Sequence, residues 1–128
     1  MRAARQAALV LAFYPGDDTP VCTAQLCSYS DGMARFQFAG ATVWGISPQG
    51  LDSHEKFARD RGLRMPLLSD EERVVAKSFG ISAPLIGLRR SVFIINGHGR
   101  LHWKHVAAPG ATYPLAVTLS THLAGLTG

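Results

Sequence analysis

Seven consecutive apolar residues, ALVLAFY at positions 8–14, run directly into PGDDTPVC. An unbroken apolar run of this length, bounded by turn residues, reads as a strand buried on both faces. Such a strand needs helices above and below its sheet, and the residues that follow begin to supply them. Thr19 fits an N-cap and Pro20 the first helical position. Leu26, Tyr29, Met33 and Phe36 then recur at helical spacing, with Asp31-Gly32 marking a kink or break. Residues 41–47 read as a second buried strand. Asp52 with Glu55 reads as a capping box for a helix closed by Gly62, and Ser69 with Glu72 as another for a helix closed by Gly80. Residues 91–96 form a third strand, Gly97-His98-Gly99 a hairpin turn, and residues 100–105 a fourth strand. Residues 112–126, with Pro114 in the first turn, close the chain as a helix. Strands alternating with helices and ending in a hairpin predict an α/β fold with a mixed central sheet.

That order is the layout of a thioredoxin-like three-layer fold, expected as a single domain over residues 1–128. A chain of 128 residues is long enough to bury one core, and its 47% hydrophobic and 17% charged residues exclude a disordered chain. The net charge of +4 comes from scattered Lys and Arg, with no run longer than Arg89-Arg90. This reads as a mildly basic solvated surface and not as a nucleic-acid footprint. No apolar run approaches the roughly 18 residues that a membrane helix requires. The opening MRAARQAALVLAFYPG is basic and then apolar, but Tyr14-Pro15-Gly16-Asp17-Asp18 follows where a signal peptide has a small-residue cleavage site. The cytoplasm is therefore the expected compartment, and a close cysteine pair there is more often catalytic or metal-binding than structural.

The two cysteines, Cys22 and Cys27, are the only ones in the chain. With Thr19 as N-cap, Cys22 is the third helical residue. It sits among free backbone N–H groups and at the positive end of the helix dipole, where an anion is favoured. A thiol so placed ionises more readily, although a buried inert cysteine fits the position equally well. Thr19 offers a hydroxyl three residues before the sulfur. Asp17 and Asp18 oppose a thiolate, so a cation must come from elsewhere. Five residues of continuous helix separate Cys22 and Cys27 by roughly 7.5 Å of rise, so a disulfide between them requires the helix to unwind. A metal site would need further ligands. His102 and His105 are the only clustered candidates, and residues three apart on a strand point to opposite faces. The CxxC of ordinary disulfide oxidoreductases is absent.

FYPGDDTPVCTAQLC resembles the active-site loop of peroxiredoxins, Pro-x-x-x-Thr/Ser-x-x-Cys, matching at Pro15, Thr19 and Cys22. A second cysteine five residues on resembles the Q type, the bacterioferritin comigratory proteins. The resemblance continues through VWGISPQGLDSHEKFARDRGLRMPLLSDEERVVAKSFGI and RRSVFIINGHGRL, and covers roughly residues 8–105. It implies a peroxidatic Cys22 and a resolving Cys27. Thr19 would orient the peroxide, Pro15 would shield the thiolate, and Arg90 would supply the missing cation. The implied activity is reduction of hydrogen peroxide and alkyl hydroperoxides. An intramolecular disulfide would be recycled by a thioredoxin- or glutaredoxin-like reductant, with no metal or other cofactor. Neither nucleic acid nor membrane is an expected partner, and a monomer or weak homodimer is expected. The alternative is a peroxide sensor, or an inactive module of the same fold, that passes its disulfide to a partner protein. A metal-delivery protein of this fold has a C-x3-C that is not present here. The chain departs from the family pattern at Gln25, where glutamate is usual, and at Gln49, where aspartate is frequent. It also begins about thirty residues later than the family domain, without the N-terminal hairpin. Apolar surface beside the first strand is therefore expected to lower stability or to be buried by self-association.

Overall fold

The computed structural model describes residues 8–16, 20–38, 40–83, 87, 88, 90–106 and 116–124. The elements are β1 (Ala8–Phe13), α1 (Pro20–Asp31), α2 (Met33–Phe38), β2 (Ala41–Ser47), α3 (Leu51–Arg61), β3 (Leu67–Ser69), α4 (Val74–Ser78), β4 (Ser82–Ala83), β5 (Gly87–Leu88), β6 (Ser91–Ile95), β7 (Leu101–Val106) and α5 (Ala116–Ala124). The expected Asp31-Gly32 break separates α1 from α2. Residues 112–115, with Pro114, and residues 125–126 lie outside the described residues, as does Thr19.

The main sheet has the order β3-β2-β1-β6-β7. β1 is central, parallel to β2 and antiparallel to β6. β2 and β3 are parallel, and β6 and β7 form the hairpin. The mixed α/β sheet expected from the sequence is therefore present, and the fold is thioredoxin-like.

Alternation along β1 divides the core. Ala8, Val10 and Ala12 face Cys22, Leu26 and Tyr29 of α1, Phe57 of α3, and Leu119 and Leu123 of α5. Leu9, Leu11 and Phe13 face the other side, with Trp44, Ile46, Phe93 and Ala76 of α4. There Phe13, Phe79 and Phe93 meet as a ring triad with centroids 4.8–5.7 Å apart. Among the described residues, the second face has only the five-residue α4 as helical cover. The apolar groove left beside it exposes Leu68 and Val75.

Two expected capping boxes are corrected. The N-cap of α3 is Gly50, with no side-chain cap bond, so Asp52 already lies inside the helix. Ser69 is the last residue of β3, and its hydroxyl donates to the Gln49 carbonyl at 2.6 Å. The N-terminal N–H groups of α4 are instead satisfied by Asp70, whose two carboxylate oxygens accept from Val75 N (3.2 Å) and Ala76 N (3.0 Å). The chain enters α4 through Arg73, which is left-handed at φ 57°. Gly62 closes α3 in the left-handed region, as expected.

Candidate active site

β1 runs parallel to its neighbour β2 and hands the chain to α1 through a short loop. Tyr14 anchors the start of that loop. Its N–H donates to the Ile46 carbonyl at 2.9 Å, and its ring packs over Gly45 and near Phe57. Its hydroxyl lies 3.4 Å from Nδ1 of His54, whose Nε2 lies 3.0 Å from the Leu68 carbonyl. A carbonyl only accepts, so Nε2 carries a proton and donates it to Leu68. Both rings are buried. Pro15 follows in an exposed bend.

Cys22 is the third residue of α1 and is 1% exposed. Cys27 lies on the same helix, half-buried, and both thiols are free. The helix is continuous through both positions, which keeps the sulfurs unbridged.

Arg90 reaches this region through strand register. Phe13 pairs with Ser91 across the antiparallel β1–β6 ladder, so the residue before Ser91 lies beside the loop that follows Phe13. The Arg90 side chain is buried, and its Nη1 donates to Oε1 of Gln25 at 2.7 Å. Gln25 is fully buried, and its Nε2 donates to the Tyr29 hydroxyl at 3.3 Å. Gln25 lies three residues after Cys22, a spacing that brings side chains together on one helix face, about 5–6 Å apart at Cβ. A fixed guanidinium is thereby tied to the helix face that carries the thiol. Arg90 Nε is also buried and has no hydrogen-bond partner among the described residues.

Cys22 and Cys27 thus share helix α1 with Gln25, to which Arg90 is bonded, while Pro15 lies in the exposed bend after β1 and Thr19 lies outside the described residues. Gln25 and His54 were missed from the sequence. Gln25 stood out only as a departure from a family pattern. His54 gave no signal, because its partners lie 40 and 14 residues away. His102 and His105 have other contacts. His102 Nε2 lies 3.2 Å from the His122 carbonyl, and Trp103 stacks on the rings of His105 and His122. Among the described residues, no group of three or more His, Cys, Asp or Glu is placed to hold a metal ion. No helix there is long and apolar enough to cross a membrane.

A cysteine in the opening turn of the helix after a central β-strand, on this sheet, places the chain among thioredoxin-like proteins with a thiol site. More narrowly, it belongs to the AhpC/TSA family, whose model matches residues 1–104. It is 40% identical over 93 residues to the chloroplastic peroxiredoxin Q of Sedum lineare, covering 71% of this chain and 50% of that protein. The chain therefore spans about half the length of this plant relative. A solved structure of Xanthomonas campestris peroxiredoxin Q matches with a TM-score of 0.82 and 27% identity, over 98% of this chain and 81% of that one. A structure from a study of alkyl peroxide reduction by the X. campestris bacterioferritin comigratory protein matches with a TM-score of 0.81 and 26% identity, over 98% and 82% of the two chains.

Proposed function

We propose that this protein is a thiol peroxidase with Cys22 as the attacking residue. The observation that carries the reading is the Cys22–Gln25–Arg90 arrangement. A buried thiol sits in a helix's first turn, and a buried guanidinium is hydrogen-bonded to its i+3 neighbour. The first turn of a helix favours negative charge, and Arg90 retains a donor for a peroxide oxygen.

The Cys22 thiolate attacks the terminal oxygen of a hydroperoxide. The S–O bond forms as the O–O bond breaks, and the alkoxide or hydroxide leaves with a proton from solvent. Arg90 stabilises charge on the parting oxygen. Cys22 is now a sulfenic acid. The Cys27 thiol then attacks the Cys22 sulfur, water leaves, and a disulfide forms. This step requires α1 to unwind between residues 22 and 27. A thioredoxin-like dithiol returns both cysteines to thiols by exchange, and is itself oxidised. Thr19 orients the peroxide and Pro15 limits access of water to the sulfur. A reducing compartment such as the cytoplasm suits this cycle. The relatives named peroxiredoxin Q, and the alkyl peroxide reduction described for the X. campestris protein, support the reading.

Peroxide consumption coupled to thioredoxin and thioredoxin reductase tests it. Wild-type protein turns over many times and Cys22→Ser does not. Turnover by Cys22→Ser at more than a few per cent of the wild-type rate refutes the assignment.

A further inference from the structure

We propose, on the thiol peroxidase reading, that the arginines at the end of α3 are the docking surface for the reductant, and that this reductant is a dithiol protein with acidic side chains around its own cysteines. Helix α3 runs from acid to base. Asp52 and Glu55 lie in its N-terminal half, whereas Arg59 and Arg61 stand in its last turn and Arg64 follows the Gly62 cap. All three arginines are exposed. Positive charge in a last turn answers the helix dipole, which accounts for Arg59 and Arg61. It does not account for Arg64, which lies beyond the helix. Among the described residues, Arg59 and Arg64 have no ion-pair partner. Asp60 is taken by Lys56, at 2.6 Å. Its carboxyl is held below the ordinary carboxylate range, first by that hydrogen bond, with the charges of Lys56, Arg59 and Arg61 adding to it.

One backbone bond places this patch beside a cysteine. The Arg64 N–H donates to Oγ of Ser30 at 2.9 Å, and Ser30 is buried near the end of α1. Ser30 lies three residues after Cys27, a spacing that makes the two neighbours on the helix surface. Cys27 is half-buried where Cys22 is 1% exposed, so an incoming thiolate meets Cys27 first. It attacks the Cys27 sulfur, the bond between Cys22 and Cys27 breaks, and Cys22 leaves as a thiolate and takes a proton from solvent. The partner's second thiol then displaces Cys27, gives it a proton, and the partner departs as a disulfide. Charge decides which partner fits. Across residues 27–31 and 56–64, the acid besides Asp60 is Asp31, set against three arginines. An acidic rim around the partner's thiols is attracted here and a basic one is repelled.

The test forms the disulfide of Cys22 and Cys27 with diamide and follows its reduction by an acidic thioredoxin and by uncharged dithiothreitol. Arg59→Glu combined with Arg64→Glu lowers the second-order rate with thioredoxin by about tenfold or more and leaves the dithiothreitol rate unchanged. Added salt slows the wild-type reaction with thioredoxin and hardly alters that of the charge-reversed protein. Arg59→Lys combined with Arg64→Lys keeps the charges and reacts as wild type does. Equal thioredoxin rates for wild-type and charge-reversed protein overturn the proposal. So does an equal loss with dithiothreitol, which would mark a general disturbance around Cys27. The oxidant is diamide, so a failure here and a failure of the peroxidase assay are separate results.

Discussion

Replacing Gln25 by leucine keeps most of the side-chain volume and removes both of its hydrogen-bonding atoms. In the folded protein, Arg90 then loses its acceptor at 2.7 Å, while its charge stays buried. Hydrogen bonds to a charged group contribute about 1.5–3 kcal/mol. For a chain of 128 residues, roughly 2.1 cal/mol/K of unfolding entropy per residue turns that loss into a Tm drop of about 6–11 °C. The chemistry suffers with the fold, because a guanidinium freed from Gln25 no longer has a fixed place near Cys22. Losing as little as about 1.4 kcal/mol of transition-state stabilisation slows the reaction tenfold. Two assays are needed: a calorimetric melt, and stopped-flow measurement of the peroxide reaction well below the Tm of both proteins. Gln25→Glu is the control. It keeps an acceptor for Arg90, and the Tyr29 hydroxyl can donate to the new carboxylate, so the melting temperature recovers. A leucine variant that melts within a degree or two of wild type, and reacts at the wild-type rate, refutes the assignment of Gln25 as the seat of Arg90.

Arg90→Met slows the peroxide reaction, because the parting oxygen loses its cation. An unchanged stopped-flow rate removes Arg90 from the site. Cys27→Ser consumes one equivalent of peroxide and then stalls in the thioredoxin-coupled assay; normal turnover shows that another thiol resolves the sulfenic acid. Gly45→Ala places a methyl 2.8 Å from Leu67 Cδ2 and 3.2 Å from Tyr14 Cε1. Leu67 can shift, but the Tyr14 ring is packed near Phe57 and bonded to His54, so the urea midpoint falls by the equivalent of about 1–3 kcal/mol. An unchanged midpoint shows that the Tyr14 ring is not fixed.

The strands of the sheet were legible where their burial was two-sided or their turn explicit. ALVLAF and ATVWGIS form the parallel pair, and SVFII turns into β7 at Gly97-His98-Gly99. β3 was not legible, because three residues are too few to show a period, and it forms by pairing with Gly45, Ile46 and Ser47. The capping residues were misread because a box pattern fixes spacing and not phase. Helix α3 starts one residue before Asp52, and α4 starts only after the left-handed Arg73. At the candidate site, the place of Cys22 in the first turn of α1 was legible, because Pro20 marks the first helical position. The seat of Arg90 was not, since Gln25 and Arg90 are 65 residues apart and only the β1–β6 register brings them together.

Site-resolved mass spectrometry after one equivalent of hydrogen peroxide tests the central claim most directly. The wild-type protein should lose two hydrogens, with Cys22 and Cys27 joined. Cys27→Ser should gain one oxygen at Cys22 alone. Oxygen appearing first on Cys27 or on a methionine, with Cys22 still a free thiol, would contradict the account.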